Sequence, residues 1–260
     1  MFFDKLRIKR KLGSLSKKLS INIYKTIDST NTQAKLHAEC GRCSSSIFIA
    51  REQTKGRGRL GRSFISQRIK GLYLSILLNE KLPPSFATSL TTYMAVVATR
   101  AIDSLTGLKT DIKWVNDVYV RGKKLAGILT EGKASDDGQT LSYAVVGIGV
   151  NLLSQDFPDD VASIATTVED ECGKRIDRYD LAALIVKEFF DNLHLVGTRE
   201  LAEEYRSRSF LIGSRVTVTG PAGSYEATVT DITDDCELVL DRDGRAQILS
   251  TGEVSVRAKS

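Results

Sequence analysis

The chain has 260 residues, 42% of them hydrophobic and 27% charged, with a formal net charge of +5. That is ordinary globular composition, and the length allows one large cored domain plus a small one. The mild positive balance suits anionic substrates or an acidic partner without requiring nucleic acid.

Two histidines, His37 and His194, lie far apart with no acid or cysteine at ligand spacing, which argues against a histidine-centred metal or nucleophile site. Cys40 and Cys43 have CxxC spacing, but no second pair completes a zinc site, so these and Cys172 and Cys236 read as free thiols. No apolar run approaches spanning length and no signal-peptide core is present, so a cytoplasmic protein is expected.

Residues 5–18 carry seven cations and no acid. A frayed surface helix, a basic arm and a targeting leader compete; the plain surface reading is favoured, and 1–20 is set apart as a basic N-terminal arm. Ile21–Ile27 alternates like a strand, Asp28-Ser-Thr-Asn31 stops it, and Thr30-x-x-Gln33 predicts a capping box opening a helix to about Ala38. A helix start also offers free amides to a polar ligand. The apolar run Ser46–Gln53 then leads into Gln53-Thr-Lys-Gly-Arg-Gly-Arg-Leu-Gly-Arg62. Three glycines and four cations in so short a stretch build neither helix nor strand; they suit a loop folded around an anion, a solvated basic loop, or a nucleic-acid-touching tract.

Gly71–Leu78 is the next strand, and after Pro83-Pro84-Ser85 the spacing of Phe86, Leu90, Met94, Val97, Ala101 and Leu105 predicts a core helix closed by Gly107. Strand-like residues then flank Lys113, Trp114, Asn116 and Asp117, Arg121-Gly122-Lys123 turns a hairpin, and Lys124–Glu131 returns. The glycines of the strand Ser142–Asn151 signal close approach of another backbone or a ligand. Two helices follow, one striped by Leu181 to Leu193 and one over 198–208. From Ile212 short alternating strands, with turns at Gly220-Pro-Ala-Gly223 and Asp241-Arg-Asp-Gly244, predict a small β-barrel. The polar islands all sit at strand ends or turns, where one sheet would gather them around a cleft for an anionic substrate.

Gly56-Arg-Gly-Arg-Leu-Gly-Arg62, Lys113-Trp-Val-Asn-Asp117, Lys124-Leu-Ala-Gly-Ile128 and Gly147-Ile-Gly-Val-Asn151 together resemble the biotin–protein ligases, over about residue 21 to the C-terminus. The resemblance implies an α+β fold: a mixed sheet with flanking helices, like class II aminoacyl-tRNA synthetases, over 21–210, and an SH3-like barrel over 211–260. It implies a ligase of the monofunctional type, without the N-terminal DNA-binding domain that some members carry. Biotin and ATP would be substrates with Mg²⁺ as the ion, and a biotin carboxyl carrier protein the acceptor; neither nucleic acid nor membrane is expected, and a homodimer is left open.

Carried over residue by residue, the resemblance gives biotin to Ser29, Thr30, Asn31, Gln53, Gly56, Arg57, Gly58, Arg59, Lys124 and Gly127. It gives ATP to Arg59, Arg62, Trp114, Asn116, Asp117, Lys124 and Asn151, with catalytic roles for Lys124, Arg59 and Asp117; no dedicated metal ligand is assigned. The chain departs from the family pattern at Val115, where proline is usual, and at Phe64-Ile65, where a Trp-Phe pair is common. Lipoate or octanoate transfer on the same fold is the nearest rival reading. A nucleic-acid-binding regulator using the basic arm and loop, and a partner-binding module with a defunct site, are rivals of other classes.

Overall fold

The computed structural model describes residues 2–41, 44–62, 64–66, 68–79, 82–220, 223–250 and 253–256. Cys43 of the CxxC pair and Pro221-Ala222 of one barrel turn lie outside those residues, while Cys40, Cys172 and Cys236 are free thiols.

A seven-stranded sheet organises the molecule. Its strands are β1 (Ser20–Tyr24), β2 (Ser46–Ala50), β3 (Gly71–Leu78), β4 (Asp111–Lys113), β5 (Asp117–Val120), β6 (Lys123–Ala134) and β7 (Leu141–Asn151), in spatial order β1-β2-β3-β7-β6-β5-β4. Helix α2 (Thr30–Glu39) crosses over between β1 and β2, the parallel pair; every other neighbour in this sheet is antiparallel.

The two faces of the sheet do different work, and the alternation of side chains along each strand assigns them. Ile47, Ile49, Leu74, Ile76, Leu78, Val146 and Ile148 point into the main core, which also holds buried residues of α3 (Phe86–Thr106) and α6 (Arg178–Asp191). Phe48, Leu77 and Val145 point the other way and meet Ala34 of α2 in a second, smaller cluster. The helix ends have identifiable causes. Gly107 sits at φ 76° and its N–H closes α3 onto Asp103 O at 2.8 Å. Asp177 caps α6 by accepting from the backbone N–H of Tyr179 and Asp180.

The start of α2 differs from the expected capping box. Ser29, not Thr30, is the N-cap, and it caps without its side chain. Thr30 N–H instead donates to Gln53 Oε1 at 2.8 Å, and Gln33 Nε2 donates to Asp28 Oδ1 at 3.1 Å. A distant side chain on the Gly-Arg loop has replaced the local cap.

The basic N-terminal stretch forms helix α1 (Phe2–Leu12), continued by a short 3₁₀ turn. It is seated rather than free: Ile8 and Leu12 are 0% and 1% exposed in the main core, and Asp4 Oδ2 accepts from Arg51 Nη2 at 2.8 Å. Short helices α4 (Asp159–Ala162) and α5 (Val168–Cys172) follow β7, and α7 (Arg199–Arg208) leads to the second sheet. That sheet is antiparallel: β8 (Arg215–Gly220), β9 (Gly223–Ile232), β10 (Leu238–Arg242), β11 (Arg245–Leu249) and β12 (Glu253–Val256), in the order β11-β10-β9-β8-β12. Trp114 Nε1 donates to Cys236 O at 2.8 Å and Arg206 Nε to Ile232 O at 2.7 Å, so the small sheet is bolted to the motif that carries the tryptophan. Among the described residues no helix is long and apolar enough to cross a membrane.

Candidate active site

On the face that carries α2, the sheet beyond that helix is stripped of side chains. Gly127 of β6 is paired directly with Gly149 of β7, and Gly147 lies two residues further along the same face. A cleft of about 520 Å³ opens over this floor, and Ser29, Thr30, Asn31, Gln53, Arg57, Gly58, Arg59, Arg62, Trp114, Asn116, Asp117, Lys124 and Gly127 line it. Thus most of the residues expected from sequence converge, although they come from elements as far apart as α2, the Gly-Arg loop and β6.

Two glycines of the floor, Gly147 and Gly149, are required by a neighbour. A Cβ on Gly147 would stand 2.1 Å from Asn31 Oδ1, and one on Gly149 would stand 2.5 Å from the Phe64 ring. The glycine signal in β7 therefore reports approaching side chains rather than a second backbone. Gly56 serves the loop in the same way, because a Cβ there would lie 2.3 Å from Phe64 O. Neither Gly56 nor Asn151 lines the cleft: Gly56 is where the two limbs of the loop meet, and Asn151 ends β7 opposite Gly71.

The Gly-Arg loop is ordered by its own hydrogen bonds. Gly58 N donates to Arg62 O at 2.7 Å, Phe64 N donates to Gly56 O at 3.0 Å, and a 3₁₀ turn (Arg59–Gly61) sits at the tip. Arg59 Nη1 reaches across to donate to Asn116 Oδ1 at 3.1 Å, and Asn116 Nδ2 donates to Ile128 O at 2.9 Å. Lys124 Nζ lies 2.8 Å from Asp117 Oδ1. That contact lacks hydrogen-bonding geometry, so the buried oxygen still has no directed donor.

At the other end of the cleft the polar groups saturate one another. Asn31 Nδ2 donates to Leu129 O at 3.1 Å and to Glu131 Oε2 at 2.9 Å, while Ser75 Oγ donates to Asn31 Oδ1 at 2.6 Å. Gln53 Nε2 donates to Ser66 Oγ at 3.0 Å. Ser29 is buried, lines the cleft and leaves its hydroxyl out of the helix cap. Burial pushes the Glu131 carboxyl up, but the hydrogen bonds of Lys35 and Asn31 and the nearby Arg57 outweigh it and hold the group below its ordinary range.

Among the described residues Arg57, Arg59, Arg62, Lys113 and Lys124 line the cleft against a single carboxylate, Asp117, so the site is strongly cationic and suited to two anions brought together. Phe64, Lys113, Leu129, Thr219 and Val254 also line it, and Ser75 and Glu131 support it, without having been singled out as site residues. Lys113 stood inside a named motif and Phe64 at a departure from the family pattern; for Ser75 and Glu131 the only local signs were a lone serine inside an apolar strand and a glutamate closing the Lys124 strand. Thr219 and Val254 of the second sheet had no sign at all, since docking brings them in.

A cationic cleft on a glycine floor lies between a mixed sheet and a small antiparallel one, and the class it belongs to is that of the protein ligases. Residues 23–151 match the Biotin/lipoate A/B protein ligase family and residues 211–257 match the Biotin protein ligase C terminal domain. A biotin--[acetyl-CoA-carboxylase] ligase of Mycobacterium tuberculosis is 32% identical, over 94% of this chain and 91% of that protein. The bifunctional ligase/repressor BirA of Bacillus spizizenii is 38% identical over 58% of this chain; the match spans about half of that relative, 47%. The structure of a biotin protein ligase from Aquifex aeolicus in complex with biotin and ATP superposes with a TM-score of 0.78 at 28% identity, covering 92% of this chain and 99% of that one. The chain belongs to the biotin protein ligase family.

Proposed function

We propose that this protein is an ATP-dependent biotin–protein ligase, which joins biotin to AMP and then passes the biotinyl group to a lysine of a biotin carboxyl carrier protein. The observation that carries the reading is the placement of Lys124 and the Arg59 side of the loop over a floor of glycines, in a cleft of about 520 Å³.

In the first step the biotin carboxylate oxygen attacks the α-phosphorus of ATP and pyrophosphate leaves. Two anions must approach, and Lys124, Arg59 and Arg62 offset their repulsion and stabilise charge on the phosphoryl oxygens. In the second step the neutral amine of the carrier lysine attacks the acyl carbon and AMP leaves. Asp117, whose Oδ1 has no directed donor, receives the amine proton. The ureido ring is read by the Ser29 hydroxyl and the Thr30–Gln53 pair, with Asn31 fixing the floor around it. Trp114 and Asn116 belong to the nucleotide end, and the loop keeps water from the adenylate.

Among the described residues no group of three or more His, Cys, Asp or Glu side chains could hold a metal ion by itself. One carboxylate with an undirected oxygen does fit Mg²⁺ carried in on nucleotide phosphates, since that ion keeps most of its waters and needs only one or two protein oxygens. Asp117 and Asn116 would hold it, and its charge would add to that of the lysine and arginines.

Incubation with ATP, Mg²⁺ and biotin is expected to yield biotinyl-5'-AMP by mass spectrometry, with lipoate giving none in parallel. Lys124→Ala should slow biotin-dependent ATP–pyrophosphate exchange by a factor on the order of 10²–10³, the loss seen when one preorganised charge or donor is removed. Exchange at the parent's rate in that variant, or preference for lipoate, would sink the reading.

A further inference from the structure

Glu131 is nobody's obvious catalytic residue. It sits on β6 seven residues beyond Lys124, on the same face as Gly127, with a side chain only 18% exposed. Its two oxygens are divided between two jobs. Oε2 accepts from Asn31 Nδ2 at 2.9 Å, which fixes the amide that Gly147 makes room for. Oε1 meets Lys35 Nζ of α2 at 2.7 Å and Arg57 Nη1 of the Gly-Arg loop at 3.1 Å. Thus one carboxylate joins the floor of the cleft, the helix that opens onto it and the loop that covers it.

We propose that Glu131 is a positioning residue: through Arg57 it pins the Gly-Arg loop across the cleft and so sets how long an acyl-adenylate is retained. The idea rests on the biotin-activating reading above. Three features carry it. The base of the loop is held by Thr54 N–H to Ile27 O at 2.8 Å, Lys55 N–H to Asp28 O at 2.9 Å and the Thr30–Gln53 pair, whereas beyond that base Arg57 meets Glu131 at one end of the cleft and Arg59 meets Asn116 at the other. Arg57 is half-exposed, so its ordering depends on the partner it finds, whereas Glu131 is already immobilised by Asn31 and Lys35. With Lys35 beside it, the carboxylate stays balanced when Arg57 swings away, so the loop can open without leaving a bare buried charge.

The test uses the full chain loaded with biotin and α-phosphate-labelled ATP, chased with excess unlabelled substrates, and reads release of labelled adenylate. Glu131→Gln and Arg57→Gln should each speed release about tenfold, the ratio expected for loss of one charge-assisted hydrogen bond. The double variant should release no faster than the quicker single one, because the second substitution removes a contact already gone. Lys35→Met, which removes one of the two contacts that hold the carboxylate while Asn31 still holds Oε2, should lower the melting temperature and speed release far less than Glu131→Gln. Arg57→Gln lies on an exposed loop and folds whether or not Glu131→Gln does. Additive effects in the double variant, release from Arg57→Gln at the parent's rate, or leakage from Lys35→Met equal to that of Glu131→Gln would each overturn the anchor alone. A parent chain that forms no adenylate would overturn the ligase reading with it.

Discussion

Asn31 and Gly147 show how a single residue's freedom is set by its partner. The Asn31 side chain is 4% exposed as a residue, spends both amide hydrogens on β6 and receives one from Ser75. It has nowhere to retreat, so the backbone opposite must carry no side chain. Gly147→Ala puts a methyl where Asn31 Oδ1 already stands, and overpacking of this kind costs about 1–3 kcal/mol. The melting temperature should fall by several degrees and biotin affinity should drop with it, in calorimetry on the same preparation; an unchanged melt would mean that Asn31 moves more freely than its hydrogen bonds allow. At this scale the sequence was informative wherever a residue type is rare in its setting. Lys124, Asp117 and the loop arginines stood out because charges seldom punctuate strand ends in that order. Ser75 and Glu131 did not, because a lone serine in a strand and a glutamate at a strand end have ordinary explanations.

Elements behaved less independently than their own sequences suggest. Helix α1 looks like a solvated basic arm, since its cations Lys5, Arg7, Lys9, Arg10 and Lys11 face only one acid, Asp4, along it. Ile8 and Leu12, however, are four apart and lie on one side, and together with Leu19 they enter the main core. Arg7 pairs with Asp177 at 3.1 Å and Lys11 with Asp180, so the cations rim a seam on α6. Ile8→Ala should therefore cost about 2–5 kcal/mol, the usual range for a buried isoleucine, where a free arm would lose nothing measurable in a denaturant titration. The Asp4–Arg51 pair also places this helix against the segment that runs into the Gly-Arg loop. Helix α2 makes the complementary point: its start was legible from Ser29-Thr30-Asn31, but Gln53 took over the capping because a polar side chain held at the base of the Gly-Arg loop competes well with a local one.

Taken whole, the molecule is two sheets held together by α7 and the Trp114 segment. Glu204 of α7 accepts from Arg100 of α3 and from Arg208 Nε at 3.2 Å, while Arg208 also reaches Asp103 at 2.9 Å. Burial pushes the Glu204 carboxyl up, yet the Arg100 hydrogen bond and the two guanidinium charges prevail and hold it below its ordinary range. A depressed folded-state value means this carboxylate contributes stability above its unfolded value, about 4.3, and loses it as pH falls through the folded one. Glu204→Gln should melt about 2 kcal/mol less stably at pH 7, and the gap should close as pH is lowered below the unfolded value, followed by circular dichroism. A gap that persists at the acid end would assign the contribution to packing instead.

Sequence alone determined the order of the main strands and long helices from Ile21 onward, though not α1, α4 or α5, together with the change to short strands near Ile212 and the identity of the polar islands, because periodicity and rare residue types are local properties of the chain. Which face of the sheet is bare, that Asn31 is spent on the floor, that Arg57 finds Glu131, and that Thr219 and Val254 reach the cleft were decided only in three dimensions. The physical reason is that hydrogen-bond partners and close approaches join residues far apart along the chain, and no spacing in the sequence encodes which of several equally polar groups will be brought within 3 Å of another.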